Sequence, residues 1–199
     1  MKSLIKNCFT LLIITMLIGA LPTEAEGEIY EDTLRLHILA NSDSKDDQAL
    51  KIRVRDYILT EYGSRLRSGG SIDEAKEEIS VILLEIEADV CEKIAEWGYK
   101  YTVRATLSEE WYETREYEDF TLPAGYYCSL RVIIGNGEGK NWWCVMYPPL
   151  CMEMACEDAP WDDGVINYTK EEFSLITSGK YNIKFKILEE VSRVFAKNG

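Results

Sequence analysis

The chain has 199 residues, 46% of them hydrophobic and 29% charged, enough to bury one ordinary core, and typical domain sizes of roughly 100–200 residues make a single main domain the default. Thirty-five acids against 22 Lys and Arg give a formal charge of −13, and no basic stripe is long enough to follow a phosphate backbone, which excludes nucleic acid as a partner.

Lys2 and Lys6 precede the apolar run from Cys8 to Ala20, which breaks at Pro22. A basic start, an apolar stretch of about 7–15 residues and a small-residue exit form a secretory signal pattern over residues 1–25, with cleavage sites after Ala20 and after Ala25. The run is shorter than the ~20 apolar residues that cross a bilayer, so the segment reads either as a cleaved signal or as a thin retained anchor.

From Thr33 to Ala40 the sequence is aliphatic, with Leu34, Leu36 and Ile38 on one face and His37, the only histidine, on the other. This predicts a strand. Asn41-Ser42-Asp43-Ser44 supplies several helix caps, and Ser44 with Asp47 resembles a capping box opening a helix to about Tyr62. Leu50, Val54, Tyr57 and Ile58 form its apolar stripe. Asp47, Lys51 and Arg55 recur at four-residue spacing on another face, which is predicted to be exposed and laced by i,i+4 pairs. Ser71-Ile72-Asp73-Glu74 is a capping box for a second helix reaching about Trp97, whose Ala75, Ile79, Ile82, Ile86, Val90 and Ile94 keep helical spacing and are expected to cover a sheet.

Strands are then predicted at 101–107, 111–117, 126–134 and 141–147, the last two joined as a hairpin by Gly135-Asn136-Gly137-Glu138-Gly139-Lys140. Short connections favour antiparallel neighbours. Residues 150–164 read as irregular, 169–177 as a short helix, and 181–196 as a strand turning into a terminal helix. The expected class is therefore α+β: an N-terminal strand, two helices, an antiparallel sheet of four to five strands and a C-terminal helix. A main domain over 26–151 would carry an extension, 152–199, packed on it.

Most chemistry can be excluded. The glycine-rich loop lacks the glycine, the Ser or Thr and the following helix of a phosphate loop. Asn41–Asp46 fails as a calcium loop because Lys45 takes a ligand position and Ile52 stands where a bidentate glutamate belongs. One histidine without a Cys-x-x-Cys pair makes no zinc site, and no Gly-x-Ser-x-Gly elbow is present. No metal or cofactor is expected. One enzyme reading survives, pairing His37 with a cysteine such as Cys144; against it stands His37 as an ordinary packed strand residue.

Without Cys8, five cysteines remain, so at least one is free or pairs between chains. Cys144 and Cys151 flank Tyr147-Pro148-Pro149, a turn able to bring their Cα atoms within the ~4.4–6.8 Å a disulfide needs, whereas Cys91 reads as a buried helical residue. Residues 111–147 are dense in aromatics, and Trp142 and Trp143 must face opposite sides of a strand. Either both faces of that strand are covered, or one is a binding patch.

The block Leu34–Ser44, followed by Asp47-Gln48-Ala49-Leu50-Lys51 and Val54-Arg55-Asp56, resembles the start of the stage II sporulation protein R family of endospore-forming bacteria. So do Leu122–Tyr126, Leu130–Gly135, Gly139–Val145 and Pro148–Cys151, with Lys184–Glu189 also family-like; 152–180 match poorly. The resemblance implies export from the forespore into the space facing the mother cell. There, family members trigger a membrane-embedded aspartic protease that processes the precursor of sporulation sigma factor E. It implies a signalling protein rather than an enzyme, with no catalytic residues and no small-molecule substrate. The rival is a secreted Cys–His hydrolase acting on the receptor or the cell wall. The residues expected to meet the protease are Asn41, Ser42, Asp43, Asp47, Lys51 and Arg55 with Lys140, Asn141, Trp142 and Trp143.

Overall fold

Leu34, Leu36 and Ile38 are fully buried, but so is Arg35 between them, and every residue of this first strand lies inside. Burial on both faces is the mark of a central strand. The computed structural model that shows this describes residues 6–11, 14–15, 24–67, 71–117, 120–148 and 168–177. In chain order its elements are α1 (Glu24–Glu31), β1 (Leu34–Leu39), α2 (Lys45–Arg67), α3 (Ile72–Glu96), β2 (Val103–Tyr112), β3 (Arg115–Glu116), β4 (Thr121–Leu122), β5 (Gly125–Ile134), β6 (Asn141–Tyr147) and α4 (Lys170–Thr177). The class is α+β.

The chain forms two compact units, one from residues 30–110 and 126–168, the other from 1–29, 111–125 and 169–199. The first holds a four-stranded sheet in the order β2-β5-β1-β6. β1 runs parallel to β5, with Leu36 beside Leu130 and His37 beside Arg131, and antiparallel to β6, with Leu36 beside Cys144 and His37 beside Trp143.

The sheet is therefore mixed where an antiparallel one is expected from short connections. Gly135–Lys140 does not join neighbours as a hairpin; it carries the chain across the end of β1, which lies between β5 and β6. The reason is backbone hydrogen bonding. A buried strand must find partners along both edges, and only insertion between two others supplies them.

Helices α2 and α3 cover one face. Their stripes pack on Leu34, Leu36 and Ile38 with Leu130, Val132, Ile134, Cys144 and Met146, and α3 buries the six apolar residues its spacing predicts. Ser71 accepts from the Glu74 amide at 3.3 Å and caps α3. Tyr62 Oη donates to Asp89 Oδ2 at 2.6 Å, tying the two helices; burial, and then this bond, push the phenol far above its ordinary value. β2 is one continuous strand where two are predicted, ending in Glu109-Glu110-Trp111-Tyr112.

In the second unit β3 and β4 form a small antiparallel ladder with Tyr117 stacked on Phe120 at 4.4 Å, and α4 packs on β4. α4 realises the predicted short helix, and its start is a reciprocal capping box. Thr169 Oγ1 accepts from the Glu172 amide at 3.2 Å, and Glu172 Oε2 accepts from the Thr169 amide at 2.5 Å. Residues 6–11 and 14–15 are helical, with Phe9 and Leu11 exposed. Among the described residues no helix is long and apolar enough to cross a membrane. The predicted elements at 150–164 and 181–196 lie outside the described residues.

Candidate functional site

β1 ends at Leu39, and after Ala40 four polar residues turn the chain into α2. Ser44 Oγ accepts from the Asp47 amide at 3.1 Å, so Ser44 is the cap the sequence predicts. The Asp47 carboxylate does not close the box. It accepts instead from Asn41 Nδ2 at 3.0 Å and Ser42 Oγ at 2.5 Å, and Gln48 Nε2 donates to the Ser42 carbonyl at 2.9 Å. Burial alone raises the Asp47 carboxyl, but hydrogen bonds from Ser42, Asn41, Tyr101 and Ser44 outweigh it and hold the group below its ordinary value.

The glycine-rich loop is bonded to this turn. The amide of Asn136 donates to Asn41 Oδ1 at 3.0 Å, that of Lys140 to Asp43 Oδ1 at 2.7 Å, and those of Glu138 and Gly139 to the carbonyls of Asn41 and Ala40. Two glycines are required by this closeness. Gly135 has φ +58°, and a Cβ there would overlap the Asn41 side chain; a Cβ on Gly139 would overlap the Ser42 carbonyl. Lys51 then reaches up from α2, donating to the Lys140 carbonyl at 2.8 Å and to Gln48 Oε1 at 2.7 Å. Burial pushes its ammonium down in pKa, with Asp43 opposing.

The exposed polar face expected of α2 is thus corrected. Asp47 and Lys51 are 4% and 5% exposed, because the turn and the glycine loop close over them. Arg55, a turn further along, is half-buried; its guanidinium lies 5.2 Å from the Trp142 ring and pairs with Asp56 at 2.6 Å. Asp43, Lys140 and Asn141 are exposed, while Asn41, Ser42, Trp142 and Trp143 are half-buried. Nine of the ten residues therefore gather at one corner, while Trp143 lies on the opposite sheet face from Trp142, against His37.

On that opposite face a second cluster crosses the sheet. His37 Nδ1 lies 2.9 Å from Glu110 Oε2, the other Glu110 oxygen is 3.4 Å from Arg131 Nε, and the His37 ring packs on Trp143 at 5.6 Å. Arg35, fully buried, lies 4.9 Å from the Tyr127 ring centre. Sequence reasoning missed Glu110 and Arg131. The usable signal was a lone histidine on an otherwise aliphatic strand, whose carboxylate partner could have been sought among the acids of later strands.

The proposed pairing of His37 with Cys144 is overturned. Cys144 sits beside Leu36 in the helix-side core, facing away from His37, and is disulfide-bonded. Its expected partner, Cys151, lies outside the described residues. Cys91 and Cys128 are free thiols, also packed against the helix-side core. Among the described residues no three His, Cys, Asp or Glu side chains are grouped as metal ligands.

A family model described as stage II sporulation protein R matches residues 30–157, more than half of the chain. The chain belongs to the stage II sporulation protein R family. A relative from Bacillus subtilis (strain 168), named stage II sporulation protein R, is 38% identical over 123 residues, 62% of this chain and 55% of that protein, so the chain spans little more than half the length of the relative. No solved structure matches. The matched region contains the whole loop corner and the His37–Glu110–Arg131 cluster.

Proposed function

We propose that this chain is a signalling protein of endospore formation that works by binding. On this reading it leaves the forespore through its N-terminal segment and activates a membrane-embedded aspartic protease of the mother cell, which processes the precursor of sporulation sigma factor E. Family membership over residues 30–157 is the observation that carries the reading. The geometry supports a binding role in a specific way. Asp47 and Lys51 spend their hydrogen bonds inside the corner, which stiffens it, while Asp43, Lys140, Asn141, Arg55 and Trp142 remain at least partly open to a partner. A pre-organised surface with Trp and Arg anchors is what a tight contact needs.

The test is a two-compartment reporter of sigma-factor processing, with a photoreactive residue at position 140 of the exported chain. Crosslinking to the intact protease, together with loss of processing in the Lys140→Glu/Asn141→Asp variant, supports the reading. Normal processing by that variant, with no adduct, rejects this corner as the protease contact. Processing by a chain lacking residues 2–22 and confined to the producing compartment rejects export.

A further inference from the structure

Four aromatic rings line one flank of α2. The segment that follows α3 runs beside that helix: Tyr101 donates to the Asp47 carboxylate in its first turn, and Trp97 packs edge-on against Tyr57 near its middle, with ring centres 6.4 Å apart. Tyr99 stacks on Tyr101 at 6.0 Å. All four rings lean on the helix-side core, and all four keep part of their surface open. Half-buried aromatics at the margin of a core are ordinary. The cation seated on this row is less so. Arg53, exposed on α2, holds its guanidinium 4.1 Å from the Trp97 ring centre and makes no ion pair among the described residues. Two acids close by in sequence are already taken: Asp56, three positions on, pairs with Arg55 at 2.6 Å, and Glu96, next to Trp97, pairs with Lys93 at 2.8 Å.

A guanidinium resting on an indole is held in place by the ring yet keeps the N–H groups along its edge, and that fork fits a carboxylate through two parallel hydrogen bonds. One such cation seats one acid. A polyanion, such as a phospholipid surface, is repelled by the formal charge of −13, whereas a single carboxylate on an otherwise apolar segment meets mainly the field of Arg53 within a Debye length. A lysine or arginine from a partner would meet Arg53 as a like charge. The row also begins at the loop corner, because Asp47, to which Tyr101 donates, is the carboxylate that Asn41 and Ser42 bond. We infer that this row is a second contact surface, which seats an apolar segment of the protein partner with one carboxylate of that segment on Arg53. The inference rests on the binding role proposed above and carries the contact from the corner along the other flank of α2. Trp, Tyr and Arg are the residues in which contact energy concentrates.

The test places the photoreactive residue p-benzoylphenylalanine at position 99 of the full exported chain, run beside the chain that carries it at position 140. The expected result is an adduct with the same partner from both positions, the one from position 99 mapping to a partner segment that contains Asp or Glu. Arg53→Gln should lower sigma-factor processing at least ~10-fold with an unchanged melting temperature. Arg53→Lys should lie nearer to Arg53→Gln than to the parent, because an ammonium keeps the charge and offers no fork. An adduct from position 140 with none from 99 confines the partner to the corner and overturns the row. An adduct from 99 with none from 140 upholds the row and rejects the corner instead, and no adduct from either position overturns both. A position-99 adduct on a segment without Asp or Glu, or full processing by Arg53→Gln or Arg53→Lys, overturns the carboxylate seat. Adducts that join two copies of the chain overturn the inference in favour of self-association, and adsorption to phosphatidylglycerol vesicles that Arg53→Gln abolishes overturns it in favour of a membrane.

Discussion

Lys51 Nζ donates to the backbone carbonyl of Lys140 from 2.8 Å, across 89 positions of sequence. One ammonium thereby joins the first turns of α2 to a loop that four backbone amides already tie to the turn before the helix. Replacing it with methionine keeps most of the stem and removes the donors. Hydrogen bonds from a charged group are worth about 1.5–3 kcal/mol, and the carbonyl left behind is poorly solvated. Lys51→Met should therefore lower stability by roughly that amount in denaturant titrations. An unchanged midpoint would show that water replaces the ammonium at no cost.

Asp47 allows a test by pH. Its carboxyl is held below the ordinary value of 3.8 by the donors around it, after they overcome the opposing effect of burial. A folded value below the unfolded one means that the ionised group stabilises the fold above pH 3.8, and that this contribution disappears as pH falls through the folded value. Asp47→Asn should thus melt below the parent at neutral pH, with the gap narrowing as the medium is acidified below pH 4. A gap that stays constant across that range would mean the charge itself contributes nothing.

These two residues also show where the sequence stops being legible. The stripe of α3, its Ser71 cap, the Ser44 cap of α2 and the short helix α4 are all readable, because each is set by spacings within a few residues. Asp47 and Lys51 have the spacing of a solvated face too, yet they are buried by a loop nearly a hundred positions away, and no local pattern records that. The same blindness hid the place of β1. Its aliphatic content announces a buried strand, but whether it lies at an edge or between β5 and β6 depends on pairing at long range. Glu110 beside His37 belongs to the same class of fact.

The loop glycines carry a prediction of their own. Gly135 combines a left-handed backbone with contact to Asn41, and Gly139 faces a backbone carbonyl that has no rotamer to yield. Gly135→Ala should cost about 1–2 kcal/mol in strain and also displace the Asn41 amide from Asp47 and Asn136. Gly139→Ala must move the Ser42 peptide, and with it the Ser42 hydroxyl on Asp47. Both variants should speed amide hydrogen exchange at Asn136 and Lys140 while leaving α3 protected. Unchanged exchange in the loop would show that turn and loop are not coupled.

The same corner separates residues that hold the fold from residues that meet a partner. Trp142 packs partly into the core and lies under the Arg55 guanidinium, so Trp142→Ala should cost stability, about 2–3 kcal/mol against the ~3–5 of a fully buried aromatic. Lys140 and Asn141 are exposed, and only the Lys140 amide and the two carbonyls take part in the network. Surface changes of that kind usually stay within about 0.5 kcal/mol, so Lys140→Glu/Asn141→Asp should melt with the parent. Arg55→Ala is intermediate, losing an exposed pair with Asp56 and a contact to Trp142. If the corner is the contact surface, sigma-factor processing should fall in Lys140→Glu/Asn141→Asp and Arg55→Ala by more than their melting temperatures explain. His37→Gln, on the other face of β1, should keep near-normal processing. Melts and the two-compartment reporter, run on the same variants, decide it: activity that tracks stability across the whole set would remove the corner from the interface and leave it a structural clasp.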